Sequence, residues 1–221
     1  MFDNGQVKFE GFGKIPRLFR EIVITEKIDG TNGLVQIMDW IDIPIDYTDW
    51  AAKFDLLKQM PQAGNYVMFA GSRKRYLSLE QDNYGFARWV SDNATLLLGL
   101  GVGKHFGEWW GKGINRGYDL NEKRFSLFNV KKWNDILCAD GIIRSPRPEC
   151  CGVVPVLYTG DFNTYMIERI KLMLQARGSF AAPGYMKPEG IVVFHTAGNL
   201  LFKSTLENDG QPKGTVFSHS T

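Results

Sequence analysis

The residues with the most chemical potential come early in the chain. Glu26-Lys27-Ile28-Asp29-Gly30-Thr31-Asn32 follows the apolar run Ile22-Val23-Ile24 and precedes a second run, Leu34-Val35-Gln36-Ile37. A lysine at a strand end, flanked by carboxylates and a glycine, is a candidate covalent nucleophile. A free lysine, with a pKa of about 10.4, is protonated at neutral pH and cannot attack. Burial or a nearby cation disfavours its charged form and releases the amine. Gly30 lets a phosphate or a neighbouring backbone approach where a side chain would block it. The same Asp-Gly between two apolar runs is also a hairpin-turn signal, so a turn and a reactive site are both open on this motif alone.

Three later stretches carry groups that complement such a lysine. Tyr66-Val67-Met68-Phe69-Ala70 reads as a buried strand that delivers Ser72-Arg73-Lys74-Arg75-Tyr76 at its end. Three consecutive cations beside an aromatic suit a phosphate, with arginine giving bidentate contacts, and they equally suit a solvated turn. Phe106-Gly107-Glu108-Trp109-Trp110 sets a carboxylate among apolar neighbours, where it must be paired, hydrogen-bonded or protonated. A ribose hydroxyl or a structural arginine such as Arg116 would serve, whereas His105 reads as structural. Lys187-Pro188-Glu189-Gly190-Ile191-Val192-Val193 then opens a hairpin that turns at Gly198-Asn199 and closes on Lys203.

The elements that must hold these groups follow from apolar periodicity. Strands are expected near 21–25, 33–38, 65–71, around Glu108 within 104–114, and near 124–130, 153–158, 187–194 and 200–204. Helices are expected over 83–98, ended by Gly99, Gly101 and Gly103, and after Asp161 as cap, with Met166, Ile170, Met173 and Leu174 on one face and Gly178 as stop. Residues 8–20 read as an extended lead-in whose Lys14, Arg17 and Arg20 suit phosphates and equally suit a solvated edge segment. Asp39, Asp42, Asp46 and Asp49 form an acidic loop before a short helix carrying Trp50, Phe54 and Leu57, without the glycine and glutamate of an EF-hand. Residues 144–152 read as a surface connection.

With 221 residues, 44% of them hydrophobic, the chain can bury one substantial core, and a single domain over 1–221 is expected. Its 26 basic and 24 acidic residues leave a net charge of +2 and no global basic field. Between 104 and 133, however, seven basic residues face three acidic ones, a local excess that suits a polyanion. The three cysteines, Cys138, Cys150 and Cys151, lack paired C-x-x-C spacing, which argues against a zinc site or disulfide framework and for a reducing compartment. No leader pattern and no run of about 20 apolar residues is present. The expectation is a soluble cytoplasmic protein.

In their fixed order, K-x-D-G, a basic cluster at a strand end, F-G-E, E-G-I-V-V and a lysine closing the last strand resemble the covalent nucleotidyltransferase superfamily of polynucleotide ligases and capping enzymes. Within it, Glu26 to Asn32 is most similar to RNA ligases of the phage and kinetoplastid RNA-repair type. DNA ligases and capping enzymes usually carry arginine where Asn32 stands. The resemblance spans about residues 14–204. It implies an α+β nucleotidyltransferase fold of antiparallel sheets with flanking helices, ATP with Mg2+ or Mn2+ as cofactors, and RNA 5′-phosphate and 3′-hydroxyl ends as partners.

The resemblance also implies roles for residues. Lys27 takes AMP from ATP as a phosphoramide, Glu108 meets the ribose, Phe128 stacks on adenine, and Lys203 contacts the α-phosphate. Glu189 organises the metal, Glu26, Gly30, Asn32 and Lys187 complete the nucleotide site, and Arg73 or Arg75 contacts phosphate or RNA. Two departures stand out. The last motif, commonly K-x-K, is Leu201-Phe202-Lys203 here, which predicts a weakened later step. The sequence also stops at Thr221, so no C-terminal oligomer-binding domain is expected. The alternatives are a GTP-using guanylyltransferase and a catalytically idle RNA-end-binding module.

Overall fold

The computed structural model describes residues 11–39, 65–139, 141–207 and 209, with the short pieces 2–3, 6–7 and 62–63. The acidic loop beyond Asp39 and the helix expected near Trp50, Phe54 and Leu57 lie outside the described residues. In chain order the strands are β1 (Phe2–Asp3), β2 (Gln6–Val7), β3 (Glu21–Lys27), β4 (Thr31–Asp39), β5 (Gln62–Ala63), β6 (Tyr66–Gly71), β7 (Gly103–Gly111), β8 (Lys123–Leu127), β9 (Ile136–Leu137), β10 (Ile143–Arg144), β11 (Cys151–Val153), β12 (Val156–Asp161), β13 (Gly190–His195) and β14 (Leu200–Thr205). The helices are α1 (Phe86–Asp92), α2 (Ala94–Leu97), α3 (Val130–Trp133) and α4 (Thr164–Arg177).

Two sheets make the frame. One has six strands in the order β11-β8-β7-β4-β6-β5, and the other has four in the order β12-β3-β13-β14. All their pairings are antiparallel except β11 with β8. Each sheet buries one face against helix. On the larger sheet Val35, Ile37, Met68, Trp109 and Leu127 pack with Phe86, Val90 and Leu97. Phe86, Trp89, Trp109 and Phe125 interlock there at centroid distances of 5.1–5.7 Å, pairs worth roughly 0.5–1.5 kcal/mol each beyond area burial. On the smaller sheet Ile22, Ile24, Ile191 and Val193 meet Ile170 and Leu174 of α4. A third cluster of Ile28, Trp110, Tyr118, Val154 and Ala182 gathers where the chain passes between sheets.

That crossing decides the Asp-Gly ambiguity. β3 and β4 do not pair with each other; they belong to different sheets, so Ile28-Asp29-Gly30 is an inter-sheet passage and not a hairpin turn. The run expected as one strand over 153–158 splits for a related reason. Cys151–Val153 joins the larger sheet, Val156–Asp161 joins the smaller, and Pro155, which has no N–H to donate, lies between them with its carbonyl accepting from Glu26 N at 2.9 Å.

Other expectations need correction. The helix over 83–98 is broken at Asn93 into two short helices, because the Asn93 side chain donates to the carbonyl of Trp89 at 2.8 Å and competes with helix propagation. The cap of α4 is Asn163, not Asp161; its side chain accepts from Tyr165 N and Met166 N, and Asp161 ends β12. Gly178 stops α4 as expected, with a left-handed φ of +81°. The strand expected over 124–130 ends at Leu127, where Asn129 caps α3. The surface connection contains part of a small β9–β10 hairpin that the apolar pattern did not announce.

Candidate active site

Strand alternation sets the two faces of β3. Ile22, Ile24 and Glu26 are buried toward α4, whereas Val23, Thr25 and Lys27 turn the other way and are half-buried. Lys27, the last residue of β3, donates from Nζ to Glu189 Oε2 at 2.5 Å. Glu189 is 3% exposed and immediately precedes Gly190, the residue paired with Lys27 across β13. Lys203 pairs with Val192, which in turn faces Thr25, so the register sets Lys203 two strands from Thr25 on the Lys27 side of the sheet.

Glu108 comes from the larger sheet, directly opposite Asn32 in the β4–β7 ladder. Its Oε1 accepts from Gly30 N at 3.0 Å and its Oε2 from Asn32 Nδ2 at 3.2 Å. Arg116 is therefore not its partner. Burial pushes the Glu108 carboxyl up to about 7, and the Lys27 cation and the two donated hydrogen bonds only partly oppose that rise. Gly30 is obligatory for a steric reason: a Cβ there would sit 2.4 Å from Trp109 O and 2.7 Å from Trp110 Cβ. The close neighbour it admits in this structure is the β7 backbone.

A clamp not foreseen from the sequence fastens this site. Arg116 Nε donates to Asp29 Oδ2 at 3.2 Å, and its Nη1 donates to the Lys187 carbonyl at 3.0 Å. Asn115 Nδ2 reaches Asp29 Oδ1 at 3.0 Å and Gly30 O at 2.6 Å, while Asp29 N donates to the Tyr118 hydroxyl at 2.7 Å. Burial raises that phenol far above its ordinary range. One segment thus grips both the K-x-D-G passage and the stretch that carries Glu189. Asn115, Tyr118 and Asp119 adopt left-handed φ of +45°, +56° and +54°, a cluster of costly conformations of the kind kept at functional sites. The glycines and asparagine of 111–117 were the only signal for it in the sequence.

Glu26 is placed apart from Lys27. Buried on the α4 face, it accepts from Ser179 Oγ at 2.5 Å, Phe180 N at 2.7 Å and Ala181 N at 2.9 Å, so its carboxylate anchors the chain after α4 instead of lining the Lys27 face. Burial raises its pKa despite those donors. His105 is structural as expected: it lies buried against Trp133, with Nε2 2.8 Å from Gly101 O. Phe128 follows β8 and is 41% exposed. Arg73 and Arg75 are exposed in the turn after β6, where Arg75 Nη1 donates to Gln81 O at 2.9 Å. Lys187 is exposed and offers its carbonyl to Arg116.

Among the described residues no group of three or more His, Cys, Asp and Glu gathers as a ready metal cage. The donors near Lys27 are the hard carboxylates Glu189 and Glu108, which suit a cation completed by water and phosphate oxygens, the manner in which magnesium is usually held. No described helix is long and apolar enough to cross a membrane.

Comparison with known proteins places these observations. A sequence model of the family described as RNA ligase matches residues 20–205. No curated protein sequence matches the chain. The fold is similar to that of a Naegleria gruberi RNA ligase variant solved with ATP and Mn, at a TM-score of 0.50 and 18% identity, covering 86% of this chain and 51% of the other. Another variant of that ligase, solved with AMP and Mn, aligns at a TM-score of 0.49 and 18% identity, over 85% and 50% of the two chains. The present chain thus spans about half the length of these structures.

Proposed function

We propose that this chain, which belongs to the RNA ligase family, is an ATP-dependent RNA ligase that works through a lysyl-AMP intermediate. The observation that carries the reading is the Lys27 amine held 2.5 Å from buried Glu189, with Glu108 fixed to the same K-x-D-G passage through Gly30 and Asn32. A surface lysine needs no such setting. In the first step Lys27 Nζ attacks the α-phosphorus of ATP; the N–P bond forms, the P–O bond to pyrophosphate breaks, and the Nζ proton has Glu189 as its nearest acceptor. A 5′-phosphate oxygen of RNA then attacks the same phosphorus, the N–P bond breaks, and AMP passes to the RNA end. A 3′-hydroxyl finally attacks the activated 5′-phosphate, a phosphodiester forms and AMP leaves. Covalent catalysis divides the joining into three easier displacements.

Each residue has a task in this scheme. Glu108 receives the ribose, Phe128 offers a ring to adenine, Asn32 holds Glu108, and Lys203 and Lys187 supply positive charge beside the phosphates. Arg73 or Arg75 meets phosphate of the RNA end. Glu189, with Glu108 nearby, would hold Mg2+ or Mn2+, which when bound neutralises phosphate charge and favours the uncharged amine. The Naegleria structure with ATP and Mn supports this choice of nucleotide and metal, and no specific observation favours the guanylyltransferase or the idle module.

The test is direct. Incubation with magnesium and α-labelled ATP gives an acid-stable label on the protein that is absent from Lys27→Ala and absent with labelled GTP. Failure of the wild-type chain to take label from ATP would overturn the proposal. Addition of 5′-phosphorylated RNA then removes the label as adenylylated RNA appears.

A further inference from the structure

The face of the larger sheet that carries Glu108 continues well beyond it. On β7, Phe106 and Glu108 share one face, while His105, Gly107 and Trp109 share the helix-packed face. Phe106 is 52% exposed, although a ring of this size on a sheet is ordinarily covered. The register sets it in a row across the sheet: Phe106 faces Leu34, Leu34 faces Gly71, and Gly71 bridges to Tyr76, itself 44% exposed. The backbones of Phe106 and Tyr76 thus stand three strand spacings apart, about 14 Å.

Tyr76 is held for use. Its hydroxyl donates to Gln36 Oε1 at 2.7 Å, and its ring lies 5.5 Å from that of Phe69 at a tilt of 50°. Gln36 faces Lys104, so an exposed cation stands beside the two rings. Exposed Arg73, Lys74 and Arg75 border Tyr76 on the turn. Exposed aromatic rings on an antiparallel sheet, interleaved with cations, form the arrangement that receives unpaired bases by stacking while the cations follow the phosphates.

We propose that this outer face is a docking track for single-stranded RNA, with Phe106 and Tyr76 each stacking a different base and Lys104 and the Arg73–Arg75 turn meeting the backbone. The track starts two residues from Glu108, so it leads a strand end toward Lys27. The inference rests on the RNA ligase reading for its choice of ligand.

The experiment uses the whole chain and a 5′-phosphorylated single-stranded RNA of about ten nucleotides, within the footprint of a single stacking platform. Fluorescence anisotropy measures RNA affinity, and labelled ATP measures lysyl-AMP formation in parallel. Phe106→Ala and Tyr76→Ala each weaken RNA binding about tenfold, whereas Phe106→Tyr, which keeps the ring, binds as wild type and Tyr76→Phe, which keeps the ring but loses its bond to Gln36, weakens binding less than Tyr76→Ala does. All four form lysyl-AMP at the wild-type rate and ATP dependence. RNA with abasic sites in place of bases binds wild type more weakly, and the alanine variants weaken it no further. Unchanged RNA affinity in both alanine variants would overturn the proposal, and so would a loss confined to ATP dependence, which would make Phe106 a wall of the nucleotide site. Absence of lysyl-AMP from wild type would count against the ligase reading alone, since the RNA measurement is read separately.

Discussion

Removing the Arg116 guanidinium is the sharpest test of how the site is held. Arg116 joins Asp29 of the K-x-D-G passage to the Lys187 carbonyl of the segment that carries Glu189, and its third contact, 3.7 Å to Glu207, is to a side chain 72% exposed. The Asp29 bond is charge-assisted and its carboxylate is 13% exposed, so it is worth about 1.5–3 kcal/mol. The Lys187 bond adds about 1 kcal/mol, and the Glu207 pair adds almost nothing. Because Arg116 itself is 25% exposed, solvent screening brings the coupling between Arg116 and Asp29 down to about 1–2 kcal/mol. Arg116→Ala is expected to lose about 2–3 kcal/mol in urea unfolding and to slow lysyl-AMP formation, since one tie beside the β3–β13 ladder and the Lys27–Glu189 contact is then lost. Arg116→Lys retains charge but cannot reach both acceptors in one plane, so it recovers only part. A double-mutant cycle with Asp29→Asn isolates the pair. Coupling below about 0.5 kcal/mol, the level of independent sites, would refute the clamp.

Three further outcomes follow from the geometry. Gly30→Ala, which forces a methyl to within 2.4 Å of Trp109 O, should destabilise by at least about 1–3 kcal/mol in chemical denaturation, and a neutral result would show that the passage can open away from β7. Glu108, raised to about 7 from an ordinary 4.5, holds in the folded state a proton that the unfolded chain has released; that stability is fully present below about 4.5 and is lost as pH rises through 7. Glu108→Gln should therefore gain on wild type over that window, by at most about 3 kcal/mol at pH 8, and parallel pH profiles for the two proteins would contradict the shift. Glu26→Gln, which places an amide donor among the three donors now serving Glu26, should lower thermal stability by about 1–3 kcal/mol while leaving the ATP dependence of lysyl-AMP formation unchanged; a raised ATP requirement at equal stability would return Glu26 to the nucleotide site.

By itself the sequence determined the strands, because alternation of apolar residues is a local property that survives in any arrangement of sheets: β3, β4, β6, β7, β13 and β14 lie where the pattern sets them, within a few residues at each end. It also carried Lys27, Glu108, Glu189 and Lys203, in the order on which the resemblance to the RNA ligases rests. Tertiary structure alone decided what Asp-Gly means, since a hairpin and an inter-sheet passage have the same local signature and differ only in the distant strands that β3 and β4 select. It likewise decided the partners of the buried carboxylates. Glu26 and Lys27 are adjacent in the chain yet face opposite sides of a strand, and the donors that satisfy Glu26 lie more than 150 residues away at Ser179, Phe180 and Ala181. The Arg116 clamp was hidden for the same reason: its three acceptors come from three separate stretches, and no spacing along a chain records which loops fold over one another.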